Sequence, residues 1–222
     1  MRKRLLGIYA LAVGAGLAGL FWSPSAQAAI LGPENTTTPI PLTRTDWTSS
    51  LAFPQFDPSL GTLLSVELDL SGSLQTTITI TNTSLSPSSG TASTNSQMTV
   101  QDGGSNLVAP ELNLLSPGYG YSLGGGDSVT SGLLTASGTS SNLYTLPAVL
   151  TEFTGVGSFV LPASTFTQTF LANTGGNTNA SQVTSDSLTG SVTYTYSVPE
   201  PASLSLFVVA LPFLAARRRR TA

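Results

Sequence analysis

The heptapeptide Leu64-Ser65-Val66-Glu67-Leu68-Asp69-Leu70 alternates apolar and polar side chains without a break. A period of two is that of a strand buried on one face, so Leu64, Val66, Leu68 and Leu70 should point to a core and the two carboxylates to water. Ser71-Gly72-Ser73 reads as a turn, after which Ile78 and Ile80 alternate with Thr77, Thr79 and Thr81, and the two runs are expected to form a hairpin. Val192, Tyr194, Tyr196 and Val198 alternate with Ser191, Thr193, Thr195 and Ser197, predicting a last strand. Shorter strands are expected at 97–101, 119–123, 143–146, 157–161 and 166–171, separated by Ser-, Gly- and Asn-rich breakers at 84–96, 102–106, 116–118, 124–128 and 173–181. Residues 84–96 read as a long flexible loop. No amphipathic helix and no fixed-period repeat interrupts the pattern, and roughly a third of the body is Ser or Thr. The expected fold is all-β: a single antiparallel β-sandwich or jelly-roll-like domain over residues 29–197.

The flanks are of a different kind. Arg2-Lys3-Arg4, an apolar stretch from Leu5 to Trp22 and the small-x-small triplet Ala26-Gln27-Ala28 have the order of a secretory signal peptide, with cleavage expected after Ala28. At the other end, Val198-Pro199-Glu200-Pro201 precedes an apolar run, residues 202–216, and then Arg217-Arg218-Arg219-Arg220. As a helix the run would span about 22 Å at ~1.5 Å per residue, against a hydrocarbon core of about 30 Å. Pro212 weakens it further by removing an N–H and crowding the preceding turn. It is a marginal anchor, and the four arginines would hold its end on the cytoplasmic side. The chain therefore divides into 1–28 (leader), 29–197 (body) and 198–222 (tail).

The body is acidic. Of eight basic residues in the chain only Arg44 falls between the flanks, where it meets ten carboxylates, a formal charge of −9. Nucleic-acid binding is excluded for want of cations to displace phosphate counterions. Cysteine and histidine are absent from the whole chain and lysine from the body. No disulfide supports the fold, so core burial has to. The Ser-His-Asp, Cys-His and Ser-Lys nucleophile systems cannot be assembled from these residues.

The tail resembles the PEP-CTERM sorting signal of Gram-negative bacteria, on Val198, Pro199, Glu200 and Pro201, the apolar run, and Arg217 to Arg220. That resemblance covers about a tenth of the chain and implies recognition by exosortase, a membrane protease, after export through the Sec translocase and signal peptidase. It implies transient inner-membrane association and delivery to the cell surface or extracellular matrix. A second resemblance lies in the body. Asp46-Trp47 ahead of Phe53-Pro54-Gln55-Phe56-Asp57-Pro58-Ser59-Leu60-Gly61-Thr62-Leu63, with Phe153-Thr154-Gly155-Val156-Gly157-Ser158-Phe159 and the Tyr194/Tyr196 strand, is similar to the choice-of-anchor E domain. This β-rich family implies one domain over most of the body and no activity.

Only carboxylates and hydroxyls remain for chemistry. A glycosidase needs two carboxylates across one cleft; Glu67 and Asp69 share a strand face, but alternating with leucines they read as a solvated one. No enzyme and no cofactor is expected. Asp102-Gly103-Gly104-Ser105-Asn106 and Gly124-Gly125-Gly126-Asp127 have calcium-loop chemistry without an EF-hand spacing, and read as turns. Exposed aromatic faces would serve carbohydrate binding, for which Trp47, Tyr119, Tyr121 and Tyr144 are the candidates, with burial the competing reading. The expected protein is a structural or adhesive surface or matrix component; the alternative is a module recognising exopolysaccharide.

Overall fold

The computed structural model describes residues 27–101 and 110–198 of the chain. They form eleven strands: β1 Gln27–Asn35, β2 Ile40–Arg44, β3 Thr48–Pro54, β4 Thr62–Asn82, β5 Ser88–Val100, β6 Leu112–Leu115, β7 Tyr119–Leu123, β8 Ser128–Thr130, β9 Leu134–Tyr144, β10 Ser158–Gly175 and β11 Thr178–Val198. A six-residue helix, α1 Pro147–Glu152, and a 3-10 turn, Pro58–Leu60, complete the described elements. The strands make two antiparallel sheets stacked as a sandwich. One has the order β1-β11-β4-β8, with β2 continuing along β11 beside β1 and β9 continuing along β4 beside β8. The other has the order β3-β10-β5-β6, with β7 also on β5.

The opening heptapeptide belongs to a strand three times its length. β4 runs unbroken through Ser71-Gly72-Ser73, so the expected hairpin does not form. Its partner is β11, paired from Asn82↔Thr178 to Thr62↔Ser197, a ladder of about 65 Å at ~3.3 Å per residue. Gly72 serves the packing between sheets: a Cβ there would lie 2.6 Å from Leu112 Cδ2 and 2.8 Å from Met98 Sδ. Val66, Leu68, Leu70, Leu74, Ile78 and Ile80 are all buried, with one phase of alternation on both sides of the glycine. Leu64 breaks that phase and is exposed, because the β4–β11 register shifts at Thr195/Tyr196 and turns Leu63 inward in its place.

Two breakers are also strand. Most of 84–96 is β5, and 173–181 is covered by β10 and β11 apart from Gly176 and Asn177. Small hydroxyl side chains go inward along β5 with Ala92, Met98 and Val100, where other hydroxyls meet them, so burial costs them no lost hydrogen bond. The strands expected at 157–161 and 166–171 are one strand, β10, while 119–123 is β7 residue for residue.

The interior has two apolar clusters. The larger gathers Phe53, Phe56, Leu68, Met98, Phe153, Leu161, Val192 and Tyr194; the smaller holds Ile78, Ile80, Ala92, Tyr121 and Leu123. A polar belt separates them. Thr76 shares hydrogen bonds with Thr184 at 2.7 Å and Thr94 at 3.3 Å, and Thr94 donates to Gln182 Oε1 at 2.8 Å. Ser96 donates to Asp186 Oδ2. At the far end of the long ladder, Asn82 ties the turns together, donating to Ser86 O and Gly124 O, each at 2.8 Å.

Candidate functional site at the β1 and β11 edge

The end of the sandwich that holds Val198 is built by the last strand. β1 lies along the edge of β11, with Gln27 opposite Val198, Ala28 opposite Ser197 and Ala29 opposite Tyr196. A bulge between Leu31 and Glu34 lets the edge bend around β11. Gly32 makes it feasible: its φ of +117° suits glycine, and a Cβ would stand 2.7 Å from Val192 O.

Three separate stretches clamp this end. Phe56 packs on Tyr196 at 5.1 Å and on Tyr194 at 5.7 Å between ring centroids, and Phe153 reaches Phe159 at 4.5 Å and Tyr194 at 6.4 Å. Tyr194 donates its hydroxyl to Pro54 O at 2.5 Å. Burial, and then the charge of Glu34, hold that hydroxyl protonated well above the usual phenol range. Backbone bonds close the cluster: Phe56 N donates to Phe153 O at 2.8 Å and Gly155 N to Phe56 O at 2.9 Å. Asp57 accepts from Ser59 N at 2.8 Å, which lowers its carboxyl below the ordinary value and starts the 3-10 turn. That turn brings Gly61 so near β11 that a Cβ would lie 2.1 Å from Ser197 O. Residues 53–61, 153–159 and 194–196, far apart in sequence, thus meet at one end of the sandwich.

The other sequence candidates are dispersed. Trp47 is half-buried against the larger cluster, its Nε1 buried without a hydrogen-bond partner among the described residues. Tyr121 is buried, and Tyr119 packs on the smaller cluster and Tyr144 on the larger. Glu67 and Asp69 sit on the outer side of β4; Glu67 Oε1 accepts from Ser141 Oγ at 3.3 Å, and the residues opposite Asp69 are Ser141 and Ser191. The residues opposite Glu67 are Thr193 and Leu143, so neither carboxylate faces a second one across the sheet. Asp127 closes its own turn, accepting from Gly124 N at 3.1 Å. Among the described residues no group of three His, Cys, Asp or Glu could hold a metal ion. Asp102, Ala26, Pro199, Glu200, Pro201 and Arg217 to Arg220 lie outside the described residues.

Two features were not singled out from the sequence. Asp186 is completely buried in the polar belt: one carboxylate oxygen takes the Ser96 hydroxyl and the other has no partner among the described residues. Desolvation pushes its pKa up to about 6, against the Ser96 bond, with Asp46 adding a smaller push the same way. Phe166 and Phe170 are exposed on the outer face of β10, opposite Gln97 and Ser93, with Gln168 between them opposite Asn95. The only signal for either was strand phase, which decides the facing of every second residue.

No family model matches the chain, and neither a curated protein nor a solved structure matches it.

Proposed function

We propose that this is an exported surface or extracellular-matrix protein, sorted and processed through residues 198–222, whose β-sandwich is structural or adhesive and not catalytic. The observation that carries this reading is the juncture at Val198. The last strand of the antiparallel body ends there, and Pro199-Glu200-Pro201, a short apolar run and four arginines follow at once in the sequence. An apolar run too short to anchor well suits a temporary membrane stop, and the arginines fix its orientation until the tail is removed. Exosortase, the Sec translocase and signal peptidase are the partners this reading requires. The acidic, hydroxyl-rich exterior fits a hydrated matrix.

The test is deletion of residues 199–222 followed by cell fractionation. The tailless protein should leave the surface fraction or accumulate at a different site, and a distribution identical to the full-length chain refutes the sorting role.

A second reading, binding of exopolysaccharide, gains support from Phe166 and Phe170. They are exposed rings on a central strand flanked by the amides of Gln97, Gln168 and Asn95, a combination suited to stacking and hydrogen bonding with sugars. Retention on matrix polysaccharide that is lost in Phe166→Ala/Phe170→Ala but kept in Trp47→Ala would favour it.

A further inference from the structure

The register of β1 on β11 bears on when the leader is removed. Peptide hydrolysis after Ala28 adds water across the Ala28–Ala29 bond, leaving a carboxylate on Ala28 and an ammonium on Ala29. Proteases take a scissile segment as an extended strand, using their own backbone groups to pair with it. In the folded body one side of this backbone is already bonded, since Ala28, Ala29 and Ile30 lie against Ser197, Tyr196 and Thr195, and the segment cannot leave the sheet for a protease cleft without breaking that ladder. Side-chain burial is not the obstacle: Ala28 is exposed and Ile30 is 71% exposed. The obstacle is the ladder itself. β1 pairs with no strand other than β11 among the described residues, and its partners, residues 191–198, are the last of the body to emerge in synthesis and export.

We propose that β1 is a closing strap: the Ala28–Ala29 bond is open to signal peptidase only until β11 has been exported, and the later pairing of β1 with β11 seals it while framing the tail at Val198. Leader removal therefore precedes completion of the sheet. A chain that folds with its leader still attached is trapped uncut, because Ala28 and Ala29 stay paired with Ser197 and Tyr196. This rests on residues 1–28 being a cleavable leader.

The experiment presents the purified full-length precursor, in detergent, to purified signal peptidase, either folded or freshly diluted from urea. Cutting follows the fraction of molecules in which β1 is open, so the folded form should be cut about tenfold or more slowly. Two edge variants then locate the block. Gly32→Val drives a side chain against Val192 O, and the double change Ile30→Pro/Leu31→Pro removes two adjacent backbone donors, one of which must face β11. Either should restore rapid leader cutting in the folded precursor while resistance of residues 62–198 to a general protease persists. Equal rates for folded and diluted precursor, or continued protection in both variants, overturn the strap. Failure to cut even the diluted precursor overturns the leader assignment along with it. The tail-deletion experiment is independent of both outcomes.

Discussion

Replacing Asp186 by Asn removes the charge from the middle of the sandwich while keeping its shape. The wild-type carboxyl titrates at about 6 in the fold against 3.8 in the unfolded chain, because burial opposes ionisation more than the Ser96 hydroxyl favours it. The folded state therefore holds the proton more tightly. Between about pH 4 and pH 6 the native state binds more protons than the unfolded one, so the contribution of this group to stability falls as pH rises and is flat above the folded pKa. At ~1.4 kcal/mol per unit, the loss by neutral pH is at most about 3 kcal/mol. Asp186→Asn should recover that amount at pH 7.5 and almost nothing at pH 4. For a body of this size the gain corresponds to a Tm rise of roughly 6–12 °C at pH 7.5. Urea and thermal unfolding of both proteins from pH 4 to pH 8 measure it. A difference independent of pH, or an Asn variant less stable at pH 7.5, would refute the argument that an uncompensated carboxylate sits in the belt.

Asn82→Ala should cost about 2–3 kcal/mol in urea unfolding, since Ser86 O and Gly124 O lose their donors together. Gly90→Ala should be destabilising by about 1–3 kcal/mol or more, the new Cβ falling 1.9 Å from Ala172 O, whereas Gly120→Ala, with nothing within 4 Å, should stay within about 0.5 kcal/mol. Millimolar calcium should leave the thermal midpoint unchanged, because Asp127 already spends a carboxylate oxygen on Gly124 N; a rise of several degrees would show that the turn binds the ion.

The strand content was legible because period-two alternation needs only adjacent residues. The extent of the strands was not. Val66 to Leu70 and Ile78 to Ile80 share an even-numbered phase, a sign that the chain stays extended between them, yet Ser71-Gly72-Ser73 carries the composition of a turn. Local composition describes what a glycine permits, and the facing Leu112 and Met98 decide what it is used for. The same holds for β5. Its Ser, Thr, Gly and Asn residues look like a flexible linker until Thr76, Gln182, Thr184 and Asp186 stand opposite them. Phe56, Phe153 and Tyr194 fall in the three stretches that carry the body's family resemblance, yet nothing local in the sequence shows that their rings pack together.

What the sequence by itself determined is what short-range chemistry can encode: alternation that makes strands, an acidic body with a single arginine, a composition without His or Cys, and two apolar flanks bordered by arginines on which the expectation of export rests. Tertiary structure alone decided which polar residues are interior, that Asp186 is buried with one oxygen lacking a partner among the described residues, that Asp69 lies between Ser141 and Ser191, and that Ala28 lies beside Ser197. Those are statements about pairs of residues up to 169 positions apart. Their physical origin is strand register, which the two-residue repeat leaves undetermined until a partner strand selects it.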